Sequence, residues 1–187
     1  MCKRWQVISN ISWVYLKSVS DDPKTWGIKK MSPIDYIINF RILLKRCGRF
    51  LKHLILDTYD VNRDIVNLIS KECPNLKDID LLNYKYFDFE NFIAVIKPIF
   101  NKVKKFSCCF GYGIKDKDLK SLFSTNKKLE YLEILWSPSD FDTTFFYVLP
   151  QETMRELIIV TKDIPFRRVC RVSLIFQRLT SFTITIN

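Results

Sequence analysis

The sequence predicts an α/β solenoid, a horseshoe arc with parallel strands on its concave face and helices on its convex face. Three observations carry that prediction. A short apolar pattern recurs six times at nearly constant spacing, apolar residues at helical spacing fall between its copies, and the composition is that of one globular chain. The 187 residues are 48% hydrophobic and 27% charged, with four Gly and seven Pro, which excludes a disordered tail, a collagenous repeat and a coiled coil. That length buries a core without a metal or disulfide staple, and fifteen Phe point to a core of large side chains.

The recurring pattern is LxxLxL. It reads Leu51, Leu54, Leu56; Leu76, Ile79, Leu81; Val103, Phe106, Cys108; Leu129, Leu132, Ile134; Met154, Leu157, Ile159; and Leu179, Phe182, Ile184. First positions are separated by 25, 27, 26, 25 and 25 residues, a period inside the range of leucine-rich repeats. Alternation at the last two apolar positions is the period of a strand with one buried face. Strands are therefore expected near 51–57, 76–82, 103–109, 129–135, 154–160 and 179–185. Between them, Ile65, Leu68 and Ile69, then Leu119, Leu122 and Phe123, have helical spacing. Each repeat is a strand, a turn, a helix and a return, and only stacked neighbours bury its apolar side.

The charge is +10, from 30 basic and 20 acidic residues, and residues 1–50 alone carry 10 basic against 3 acidic. A basic N-terminal third is suited to nucleic acid, an anionic membrane or an acidic partner, with a well-solvated surface as the plainer reading. Arg41, Lys45 and Arg49 fall at i, i+4 and i+8, the spacing of a solvated helix face. Six cysteines (Cys2, Cys47, Cys73, Cys108, Cys109 and Cys170) include no CxxC pair and His53 is the single histidine, so no metal site and no cofactor is expected. The thiols read as reduced and mostly buried, in a cytoplasmic or nuclear protein without a membrane span.

Two stretches carry a family resemblance. Residues 71–81, KECPNLKDIDL, resemble the strand entry of the cysteine-containing leucine-rich repeats of F-box proteins, and 113–134 are similar to the same unit throughout. There Ile114 and Asp116 match the turn, with Asp116 as helix N-cap, and Asn126 takes the place of the cysteine. Cys47 sits one residue out of register with Cys73, and Pro165 stands where the fifth helix should start. The opening residues, with Cys2, Lys3, Arg4, Trp5 and Trp13, resemble the closing helix of an F-box. The resemblance implies residues 1–30 as an F-box remnant plus connector and residues 31–187 as about six repeats. It also implies a substrate-recognition subunit of an SCF-type ubiquitin ligase, serving ubiquitin-dependent protein degradation. A Skp adaptor, touched weakly through Trp5 and Trp13, and a cullin scaffold would be the partners, their docking impaired by the missing start of the F-box. Packing onto the first repeat is the other reading of both residues and the favoured one for Trp13. The alternative is a stand-alone binding scaffold unconnected to ubiquitin; a nucleic-acid role ranks below both.

No paired catalytic carboxylates, Gly-rich phosphate loop or Ser/His/Asp set stands out, and His53 lies two strands from Cys108 and Cys109, so no enzyme is expected. The outward strand positions are more informative. They hold Asp57, Asp78, Asp80, Glu133 and Glu156 against Lys105, with Ile55, Leu82, Leu135, Ile158 and Val160 as an apolar patch. An exposed apolar patch of this kind marks an interaction surface. The residues expected to bind a target protein are Asp57, Asp78, Asp80, Tyr131, Glu133, Leu135, Glu156 and Ile158, with Tyr131 and Leu135 as anchors.

Overall fold

The apolar triplets build a sheet. The computed structural model describes residues 13–22, 32–56, 63–82, 89–110, 116–136, 143–161, 172 and 174–186. In chain order these hold β1 (Ser18–Ser20), α1 (Pro33–Cys47), a 3-10 turn (Gly48–Phe50), β2 (His53–Leu56), α2 (Arg63–Glu72) and β3 (Asp78–Leu81). Then follow α3 (Phe89–Phe100), β4 (Lys105–Phe110), α4 (Asp116–Phe123), β5 (Tyr131–Trp136), a 3-10 helix (Thr143–Val148), β6 (Glu156–Thr161) and β7 (Ser181–Ile186). All seven strands pair in parallel in the order β1 to β7. Parallel neighbours joined consecutively need a crossover in every repeat. Helices α1 to α4 supply it four times, and the result is a leucine-rich-repeat solenoid.

Each strand begins two residues after the first apolar residue of its triplet, because that residue turns the chain into the sheet. Leu51, for example, is wholly buried while its N–H closes a turn onto the Gly48 carbonyl at 3.0 Å. The second and third apolar residues point inward: Leu54, Leu56, Ile79, Leu81, Phe106, Cys108, Leu132, Ile134, Leu157 and Ile159 are all buried. Ile65 and Ile69 of α2, and Leu119, Leu122 and Phe123 of α4, cover them from the convex side. Phe100, Phe106 and Phe123 meet edge to face, with ring centroids 4.9–6.2 Å apart, at the centre of this core.

β1 was not among the six expected strands. Leu16, Val19 and Asp21 occupy the three triplet positions, but the third is a carboxylate. Asp21 is fully buried, accepts a hydrogen bond from the Tyr36 hydroxyl at 2.9 Å, and donates its N–H to the Ile55 carbonyl. A seventh copy thus stands inside residues 1–30, hidden by one polar substitution.

The crossover after β5 also departs from expectation. It is a six-residue 3-10 helix, Thr143–Val148, where a longer helix was expected. Two β-branched residues open it and Pro150 follows shortly, a combination that discourages α-helix. Phe146 and Leu149 still reach the core. Asp116 begins α4, while Ile114 and Pro165 lie outside the described residues.

The residue three places ahead of the triplet plugs the seam between repeats in all but the Met154 triplet, where Gln151 is exposed. Cys73, Phe100, Asn126 and Phe176 hold this place and are all buried. In the first repeat the place falls to Gly48, where a Cβ would stand 2.7 Å from the Glu72 carbonyl oxygen and 3.1 Å from Cys73 Sγ. Cys47 is therefore displaced onto the end of α1, its thiol bonded to the Leu43 carbonyl. Burial pushes the Cys47 thiol up to about 11 and that of Cys73 to about 12, and Cys108 is raised as well. These are inert structural thiols.

Candidate binding face

The register places the outward residues in rows. One row runs Ser18, His53, Asp78, Lys105, Tyr131, Glu156, Ser181, and the next runs Ser20, Ile55, Asp80, Ser107, Glu133, Ile158, Thr183. A third begins at Cys109 and continues through Leu135, Val160 and Thr185. Parallel strands with residues in register bring each row's members to about 4.8 Å spacing, so residues far apart in sequence become neighbours on one concave floor.

The floor is an interlocked polar network with apolar residues beside it. Tyr131 donates its hydroxyl to Glu133 Oε2 at 3.0 Å, and Ser107 Oγ donates to the same oxygen at 3.0 Å. The Lys105 ammonium stands 5.8 Å from the Tyr131 ring centroid, close enough for a cation–π contact. Burial first, then the bond to Glu133 and the charges of Glu133, Glu156 and Asp80, push the Tyr131 phenol up to about 12. The carboxylates of Glu133, Glu156 and Asp80 thus all bear on the one phenol that Lys105 faces. Ile55, Leu82, Leu135, Ile158 and Val160 are each half-buried, and Glu156 is exposed.

The sequence reading found no Ser/His/Asp set, and the structure corrects it. Ser18 Oγ lies 3.1 Å from His53 Nδ1, and His53 Nε2 lies 2.7 Å from Asp80 Oδ2. An ionised carboxylate only accepts, so Nε2 carries the proton in the neutral ring and Ser18 donates to Nδ1. The set was missed because Ser18 belongs to the unrecognised strand β1. Here it stitches β1, β2 and β3 together across the floor and holds the Asp80 carboxylate in place.

Asp78, Asp80, Tyr131, Glu133, Leu135, Glu156 and Ile158 thus share one face. Asp57 and Trp5 lie outside the described residues. Trp13, in a helical turn ahead of β1, packs its indole against the core with its Nε1 buried and unpartnered among the described residues. No helix among the described residues is long and apolar enough to cross a membrane.

No family model matches the chain, and no curated protein matches it. Among solved structures, the chain is similar to one from the Rad7 and Elc1 complex in yeast, with 16% identity and a TM-score of 0.60. The likeness covers 80% of this chain and 39% of that one, so the chain spans well under half the length of the structure it matches.

Proposed function

We propose that this chain is a substrate-recognition subunit of an SCF-type ubiquitin ligase, acting by binding and carrying out no reaction of its own. The observation that supports this reading is the concave floor itself. Tyr131 is held by Glu133 and flanked by Lys105 and Glu156, while Leu135 and Ile158 give apolar area beside it. A fixed aromatic inside a polar surround is the arrangement in which a few central residues dominate binding energy. The likeness to a chain solved as part of a two-protein complex, Rad7 with Elc1, is consistent with an adaptor partner here. A Skp-type adaptor and a cullin scaffold would then bind away from the floor, in the cytoplasm or nucleus. Trp5 is the candidate adaptor contact, while Trp13 packs against the core and supports the first repeat.

The test is purification of the tagged chain from cells, followed by assay for adaptor, cullin and targets. Tyr131→Ala should weaken target capture by about 2 kcal/mol, some thirtyfold, and leave adaptor retention unchanged. Retention of targets without adaptor or cullin would favour the alternative, a stand-alone scaffold using the same floor. Targets retained equally by the variant would sink the role of the floor in both readings.

A further inference from the structure

The residue just ahead of each strand forms a row of its own. Backbone bonds run from Lys52 N to Lys17 O, Lys77 N to Lys52 O, Lys104 N to Lys77 O, Glu130 N to Lys104 O and Arg155 N to Glu130 O, at 2.7–2.8 Å. Each residue therefore sits beside the next along the edge where the chain enters the sheet. Lys17, Lys52, Lys77 and Arg155 are exposed. Lys104 is bridged to Glu130, the one acid of the row. The turns leading into β2, β4, β5 and β7 add Arg49, Lys102, Lys127, Lys128 and Arg178, all exposed, against Glu152 ahead of β6. Five steps at strand spacing make the row about 24 Å long.

We propose that this rim binds the phosphate backbone of nucleic acid. A linear series of cations at regular spacing matches a linear polyanion, whose affinity comes from displaced counterions. The row carries no large apolar side chain, so it lacks what a peripheral lipid contact buries. Its members include no aromatic, and Phe50 in the adjoining turn is half-buried under Lys17 and Arg49, 5.8 and 4.6 Å from its ring centroid, so single-stranded bases find no open stacking platform there. The carboxylates Asp78, Asp80, Glu133 and Glu156 lie on the floor next to it, which confines a polyanion to the rim and leaves the floor open to another partner. The binding is sequence-independent, because no element enters a groove and phosphate contacts carry no base information.

The experiment titrates the full chain against a labelled 20-base-pair DNA duplex of arbitrary sequence at several salt concentrations. Lys17, whose ammonium bonds only the neutral Val14 carbonyl and faces the Phe50 ring, keeps its charge. With Lys52, Lys77 and Arg155 it makes four row cations outside the described ion pairs, which should give a slope of log K against log salt near −3.6, or roughly a 150-fold loss between 50 and 200 mM. Lys52→Ala and Lys77→Ala should each flatten the slope by about 0.9. Lys71→Ala, on the exposed side of α2, should leave it unchanged. The row variants remove no hydrogen-bonded side chain of the fold, and unchanged melting temperatures would establish that they are intact. No binding at 50 mM salt would overturn the proposal. So would equal slopes for the row and α2 variants, equal affinity for anionic vesicles, or tighter binding of the single strand than of the duplex.

Discussion

Asn126 shows how one side chain joins two repeats. Fully buried, it donates from Nδ2 to the carbonyls of Phe100 at 2.7 Å and Val103 at 2.8 Å, and its Oδ1 accepts the Lys128 N–H at 2.7 Å. Cys73 and Phe100 hold the same place in earlier repeats without matching that hydrogen-bonding capacity. Asn126→Ala would remove the amide's bond to the buried Val103 carbonyl and leave the Phe100 carbonyl with only the Val103 N–H at 3.1 Å, and a stranded buried group costs about 1–3 kcal/mol. We expect a loss of about 3 kcal/mol in urea unfolding, and a loss below about 1 kcal/mol would mean that water replaces the amide. Tyr131 gives a second test at this scale. Its folded phenol is raised from 10 to about 12, chiefly by burial. A group held protonated in the fold adds stability that is complete below its unfolded value and lost as pH rises through the folded one. Stability should therefore fall between pH 10 and pH 12, and Tyr131→Phe should flatten that part of the profile. An identical fall in the variant would assign it to other groups.

At the scale of elements, the first seam depends on Gly48. An added Cβ would meet the Glu72 backbone oxygen at 2.7 Å, and backbone cannot swing aside as a side-chain tip can. Gly48→Ala should destabilise by about 2 kcal/mol, read as a lower melting temperature. A variant that melts like the wild type would show that α1 and α2 can part without penalty. The elements were legible in the sequence in proportion to how apolar their key positions are. Ile79 and Leu81, or Leu132 and Ile134, mark buried strand positions by type alone. β1 was hidden because Asp21, its third position, is polar and satisfied by Tyr36, a partnership that no spacing reveals. Ser18 went with it, and so did the Ser18–His53–Asp80 network. The floor residues Asp78, Tyr131 and Glu133 were legible because alternation fixes their side of the sheet. Their mutual bonds were not, since rows form only when register brings separate repeats together. The basic rim escaped for the same reason, because totals by segment spread Lys17, Lys52, Lys77 and Arg155 over the whole chain.

The whole molecule behaves as a row of units, each stabilised by the neighbours on either side. Middle strands have two such neighbours. Phe106, Leu132, Ile134 and Leu157, on β4 to β6, are wholly buried. β7 stands at one end of the sheet, and its inward residues Phe182 and Ile184 are only half-buried, though they occupy the same triplet positions. β1 stands at the other end with three residues and one inward apolar side chain, Val19. Local opening is easiest where the fewest apolar contacts must break. Amide hydrogen exchange should therefore be graded along the sheet, slowest at β4 and β5 and fastest at β1 and β7. The Ser18–His53–Asp80 stitch gives β1 a hold that β7 lacks, because its described outward residues Ser181, Thr183 and Thr185 are all exposed. Ser18→Ala should then speed exchange in β1 without altering β7, read residue by residue by mass spectrometry or NMR. If all seven strands instead exchange at one common rate, the arc opens only as a single cooperative unit, and the unequal burial of its ends has no energetic consequence.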